Sequence, residues 1–186
     1  MAFDHVEIDL ETLGTLPGSV ILSIGAVLFD PTKPVEECLG KEFYCVVSKA
    51  DSLAHGLSFS QDTLDWWMKQ SPEARQVLTD ADSDEKADTL LDALSMLSQF
   101  ITPNMKVWSN GANFDQPLLD VAYSKIGQPI PWKYYNSRCH RTILGLHPAA
   151  KSLAPKNTCA HNALEDAKTQ AKHLVIVANA LGLKVD

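Results

Sequence analysis

From Ser19 to Phe29 the chain reads Ser-Val-Ile-Leu-Ser-Ile-Gly-Ala-Val-Leu-Phe, eleven residues without a charged side chain. A run this apolar suits a strand buried on both faces, and so the interior of a covered sheet rather than its solvated margin. The segment before it, His5-Val6-Glu7-Ile8-Asp9-Leu10-Glu11, alternates instead. Val6, Ile8 and Leu10 point one way and Glu7, Asp9 and Glu11 the other, the pattern of a half-buried strand. By itself a strand with three like charges on one face is a solvated face. Beside a doubly buried strand, those carboxylates need a compensating cation.

A third carboxylate, Asp115, follows the segment Met105-Lys106-Val107-Trp108-Ser109-Asn110-Gly111-Ala112-Asn113-Phe114. A short strand there enters a Gly-containing turn and then a helix with apolar positions Leu118, Leu119, Val121 and Ala122. Asp115 thus lies at a strand-to-helix junction, from which a polar side chain can reach a cleft. An aspartate in a first helical turn also complements the helix dipole without any further role.

The last element opens His161-Asn162-Ala163-Leu164-Glu165-Asp166-Ala167 and runs as a helix to about Leu181. Asn162 and Glu165 read as an N-cap and its third-residue partner, so His161 precedes the helix and Asp166 lies early within it. On one continuous helix, residues five apart diverge by about 140°. With His161 outside the helix the two side chains can converge.

Asp9-Leu10-Glu11-Thr12, then Phe114-Asp115, then His161-x-Ala163-x-x-Asp166 resembles the DEDD-type 3′ to 5′ exonucleases of the DnaQ-like superfamily, in the subgroup whose third motif carries histidine. The motifs extend over residues 9 to 166. Ser19 to Asp30 and Thr63-Leu64-Asp65-Trp66-Trp67 look like the phage and bacterial branch with exonuclease VIII-like, phage exonuclease A-like and mycobacterial-type exoribonucleases. Proofreading exonucleases commonly have His-Asn-x-x-Phe-Asp in the second motif. Asn110-Gly111-Ala112-Asn113-Phe114-Asp115 departs from it, which weakens a proofreading role and leaves the aspartate intact.

The resemblance implies a nuclease that releases 5′ mononucleotides from a 3′ end with two divalent ions, Mg²⁺ or Mn²⁺, about 4 Å apart. Hard cations of this kind take oxygen ligands. Asp9 would bridge the ions, Glu11 and Asp166 would ligate the one that activates water, and Asp115 would ligate directly or through water. His161 would take the proton, a task suited to imidazole's ordinary value near 6.5. The Thr12-Leu13-Gly14 backbone would hold the terminal nucleotide, with Asn113 and Phe114 as further contacts. The implied partner is nucleic acid, single-stranded or with a 3′ overhang; the resemblance leaves room for a homodimer. Trp66-Trp67 is ambiguous, since adjacent helical residues point about 100° apart. One ring can be core while the other stacks on a base, and Trp67 is the one assigned to stacking.

Composition agrees with one domain spanning 1–186, whose 45% hydrophobic content can fill a single core. The formal net charge of −7 argues against a polyanionic partner, but its distribution is uneven. Residues 1–124 hold 7 basic and 20 acidic side chains, whereas residues 125–186 hold 9 and 3. The basic part includes Lys133, Arg138, Arg141, Lys151, Lys156, Lys168 and Lys172, which would form either a positive rim for a phosphate backbone or an ordinary solvated face. The apolar part of Thr12–Phe29 is too short for a bilayer, and the acidic N-terminal segment is unlike a signal peptide, so an intracellular protein is expected. Cys38, Cys45, Cys139 and Cys159 lack zinc-site spacing and read as reduced thiols.

Strands are expected near 4–11, 19–30, 41–48, 105–109 and 132–136, and helices near 60–69, 72–79, 86–101, 114–126, 139–146 and 162–181. That order matches an α/β, ribonuclease H-like mixed sheet of about five strands flanked by helices. Lys151 to Thr158 reads as a loop that could bring His161 into place. Two competing functions remain: a non-catalytic nucleic-acid-binding module of this fold, disfavoured by the complete set of five residues, and a ribonuclease H-like endonuclease, disfavoured by the His161/Asp166 spacing.

Overall fold

The computed structural model describes residues 3–157 and 159–185, and Thr158, at the end of the loop expected before His161, lies outside them. Five strands form a sheet in the order β3-β2-β1-β4-β5. β1 (His5–Thr12), β2 (Ile21–Phe29) and β3 (Leu39–Val46) make an antiparallel meander. β4 (Lys106–Ser109) and β5 (Ser137–Cys139) add in parallel beyond β1. This is the mixed ribonuclease H-like sheet, flanked by helices on both faces.

Alternation along β1 and β2 sends neighbouring side chains to opposite faces. Val6, Ile8, Leu10, Ile24 and Ala26 join the larger core with α3 (Pro72–Ala81), α4 (Leu90–Phe100) and α5 (Asp115–Lys125). Val27, Phe29 and Trp108 join the smaller core with Ala167, Ala171, Leu174 and Val175 of α7 (Ala163–Leu181). The expected half-buried β1 is therefore covered on both faces, because α7 lies over its acidic side. The register sets Glu7, Asp9 and Glu11 opposite Val27, Gly25 and Ser23.

Gly25 determines how closely α7 can approach. A Cβ built there would lie 2.1–2.3 Å from the Ala163 carbonyl group and the Leu164 nitrogen, so only glycine lets the first turn of α7 rest on the sheet. That turn is held from its own side by Asn162, whose Oδ1 accepts from the Glu165 N–H at 3.1 Å, and Gly182 at φ 64° ends the helix.

Some elements differ from expectation. Residues 132–136 form no strand; Tyr134–Asn136 is a 3₁₀ turn, pinned by the Asn136 amide to the Pro103 carbonyl, and β5 begins only at Ser137. The helix expected from 86 starts at Leu90, because Thr89 takes the N-cap and the strand-like bridge Val47–Asp88 occupies the chain before it. A short helix α1 (Lys49–Ala54), capped by Ser48, offered no apolar period to recognise. The remaining helices are α2 (Gln61–Trp67) and α6 (His140–Leu144). Among the described residues no helix is long and apolar enough to cross a membrane.

Gly25→Ala should cost about 1–3 kcal/mol, because the methyl meets backbone that cannot rotate away. It should also lower activity by shifting the helix that carries Asp166. Thermal unfolding and single-turnover cleavage measure the two effects; a variant with wild-type stability and rate would contradict this close packing.

Candidate active site

At the C-terminal end of β1, where the parallel strands also end, four carboxylates from three elements converge. Asp9 and Glu11 come from β1, Asp115 from the first position of α5, and Asp166 from the first turn of α7. Asp115 is buried, and its Oδ1 accepts from the Leu10 N–H at 3.2 Å while its Oδ2 has no partner. Asp9 Oδ1 accepts from the Gln170 amide at 2.7 Å. Asp166 Oδ2 accepts from the His161 N–H at 2.9 Å, and its Oδ1 accepts from the Asn157 amide. One ligand atom each from Glu11, His161 and Asp166 lies within 4.8 Å of the others.

All four carboxyls are pushed upward. Burial is the main cause for Glu11, raised to about 8, with the charges of Asp166 and Asp115 adding to it. Burial also raises Asp115 to about 7, against the opposing hydrogen bonds from its own backbone N–H and that of Leu10. Asp9 is raised well above the carboxylate range by burial and then by Asp115, Glu11 and Asp166. Asp166 rises through burial, tempered by the His161 N–H. Carboxylates this close cannot all ionise near neutral pH without a counter-charge. The orphaned Asp115 Oδ2 and the oxygen-rich donor set fit hard divalent cations; among the described residues no lysine or arginine lies within ion-pair distance of the four carboxyls, and Arg141 acts on Asp115 only from farther away.

His161 is the one non-glycine residue with positive φ, 66°, among the described residues. This left-handed backbone turns its N–H toward Asp166 and its ring toward two indoles, 5.0 Å from Trp66 and 6.0 Å from Trp67. The assignment of Trp67 as stacking face needs correction. Trp67 is 1% exposed and its Nε1 donates to the Thr12 carbonyl at 2.8 Å, so it fixes the end of β1. Trp66 is 42% exposed and carries the free face. The two rings, with Glu11, Thr12, Thr15, Thr63 and Phe114, line a cavity of about 470 Å³.

Leu13 and Gly14 do not line that cavity. Leu13 is core, its N–H bonded to the Val20 carbonyl and its carbonyl to the Ser60 N–H, while Gly14 makes room for Ser19. Asn113 is exposed on the turn before Asp115. Glu7, although on the acidic face of β1, is wholly buried beside His140, 3.5 Å away, and is raised by that burial. Sequence reasoning missed Gln170 and Asn157. Gln170 lies four residues after Asp166 on α7, a spacing that puts both on one helix face; no local signal marks Asn157.

A family model described as 3′-5′ exoribonuclease Rv2179c-like domain matches residues 4–178. The exodeoxyribonuclease of Enterobacteria phage T4 is 26% identical over 213 aligned positions, covering 96% of this chain and 89% of the relative. The nuclease domain of 3′hExo, a DEDDh family member solved with rAMP, superposes with a TM-score of 0.61 at 14% identity, covering 99% of this chain and 96% of that one. Exonuclease X, solved with 5′ overhanging duplex DNA, superposes with a TM-score of 0.60 at 16% identity, covering 96% and 93%.

The raised carboxyls set the pH dependence of stability. These carboxyls bind protons more tightly in the folded state than in the unfolded chain, so without metal they favour folding most at and below their ordinary values, 3.8 to 4.5. Their contribution is lost as pH rises through about 7 and 8. Divalent metal should therefore raise the melting temperature far more above pH 8 than below pH 6. Calorimetric scans with and without Mn²⁺ check this, and a metal effect independent of pH would contradict it.

Proposed function

Because the chain belongs to the 3′-5′ exoribonuclease Rv2179c-like domain family and is a 3′-5′ exonuclease, we propose that Asp9, Glu11, Asp115 and Asp166 hold two divalent cations and that His161 activates the attacking water. The observation that carries this reading is the convergence of Asp9, Glu11, Asp115 and Asp166, with Asp9 feeling the charge of the other three and Asp115 Oδ2 buried without a partner. Mg²⁺ or Mn²⁺ bound there would stabilise charge on the attacking and leaving oxygens of the phosphodiester. Asp9, between Asp115 and Glu11 in the electrostatic pattern, suits the bridging position. Glu11 and Asp166 suit the side that faces His161.

The protein's own groups supply orientation and proton transfer. Gln170 steadies Asp9, and the Leu10 N–H steadies Asp115. His161 accepts the proton of the attacking water through a ring nitrogen, its backbone fixed by the bond to Asp166. The exposed face of Trp66 stacks on the terminal base, an interaction tolerant of base identity. The products are a 5′ mononucleotide and a strand shorter by one residue.

Asp9→Asn and Asp115→Asn should each abolish digestion of an end-labelled strand while circular dichroism stays native. Near-normal rates at saturating metal would overturn the metal assignment. His161→Ala should slow single-turnover cleavage by roughly 10²- to 10⁴-fold with little change in Mn²⁺ affinity; a large loss of affinity would make His161 a positioning group for Asp166. Linear DNA and RNA strands blocked at the 5′ end should be digested, whereas strands ending in 3′-phosphate and circles should resist. Ready cutting of circles would favour an endonuclease.

A further inference from the structure

Six of the nine basic residues of the C-terminal third fall into two groups. Lys133 donates to Asn104 Oδ1, Arg138 to the carbonyls of Tyr135 and Ser137, and Arg141 to the Asn110 carbonyl, so these cations serve the fold. Lys156, Lys168 and Lys172 instead gather, with Asn157, Thr169 and Glu165, around a cavity of about 230 Å³ between the 155–157 segment and α7. Glu165, Lys168, Thr169 and Lys172 stand at helical spacings of three and four and so present one face. Lys168 is paired with Glu165 at 3.0 Å and Glu42 at 3.1 Å. Among the described residues, Lys156 and Lys172 lie within ion-pair distance of no carboxylate.

This cavity shares no residue with the one under Trp66, yet Asn157 on its wall donates directly to Asp166. Glu11 lines the first cavity and Asp166 is bonded to the wall of the second, and these two carboxyls offer oxygens within 4.8 Å of each other, so both cavities adjoin the carboxylate cluster. A strand whose terminal nucleotide occupies the first has its next phosphodiesters on the far side of the cleaved bond. We propose that the Lys156–Lys172 cavity binds a phosphodiester on the 5′ side of the scissile one, so that the enzyme grips the strand at two points flanking the bond it cuts. The lysines supply charge and the Asn157 amide and Thr169 hydroxyl supply short-range donors, all suited to phosphate oxygens. No sequence readout is built in. The inference rests on the exonuclease reading above.

The test compares two substrates with wild-type enzyme and the Lys156→Gln/Lys172→Gln double variant. One is a single-stranded oligonucleotide; the other is the p-nitrophenyl ester of thymidine 5′-monophosphate, which contains the scissile phosphodiester alone. For the oligonucleotide, KM should rise roughly tenfold at low salt with kcat kept, and the slope of log KM against log salt should fall by about 0.7, the value for one lost phosphate contact on a single strand. The ester should be hydrolysed at the wild-type rate, and Lys156→Arg/Lys172→Arg should restore the salt slope. Unchanged oligonucleotide KM and slope would overturn the proposal. So would inorganic phosphate protecting the wild type alone against thermal unfolding while oligonucleotide KM stays equal, since the cavity would then be a small-anion site. If wild-type enzyme cleaves neither substrate, the exonuclease reading fails instead, and binding of a labelled strand to the two proteins still decides the cavity's role.

Discussion

Like charge confined in a partly buried cleft is the constraint around which this molecule is organised. Carboxyls from β1, α5 and α7 meet with Glu11 and Asp115 buried and Asp9 and Asp166 half-buried, and burial is the first cause of the upward displacement of each. The N–H groups of Leu10 and His161 and the amides of Gln170 and Asn157 favour the ionised forms without offsetting the desolvation. Such a cluster is costly to the folded protein on its own and becomes favourable when a cation is shared among its oxygens. Part of the folding energy is thereby held in reserve for metal.

Holding that cluster requires rigid supports, and they are divided between the two faces of the sheet. Below β1 the larger core fixes the strand through Val6, Ile8 and Leu10. Above it α7 rests on Gly25, directly opposite Asp9 in the register. Trp67 ties the end of β1 to α2 through Thr12, and Trp66, its neighbour, remains available on the surface. Adjacent identical residues thus take structural and exposed roles because the helix turns about 100° between them.

The fold was largely legible because its signals are local. The apolar run of β2, the alternation of β1 and the Asn162 cap each follow from neighbours in the chain, and the ordered motifs pointed to the five residues that meet in the cleft. What escaped depends on distance. Asn157 and Gln170 matter only through partners 9 and 161 residues away. The start of β5 is set by pairing with β4, not by its own composition, and the exposed member of the tryptophan pair is decided by what packs on α2. The even-looking basic tail likewise hid a division between lysines around a cavity and cations bonded to nearby carbonyls and amides. Gly25 was visible as a glycine inside a strand, but the helix that needs it lies about 140 residues onward.

That separation along the chain also governs when the nuclease can become active. Asp9 and Glu11 leave the ribosome about 100 residues before Asp115 and about 150 before His161 and Asp166, and the helix that carries Asp166 rests on the sheet at Gly25. A nascent chain that stops before Asp166 lacks one of the four carboxylates. A growing polypeptide held beside its own messenger RNA therefore carries no assembled carboxylate cluster until α7 has been made and has docked on the sheet.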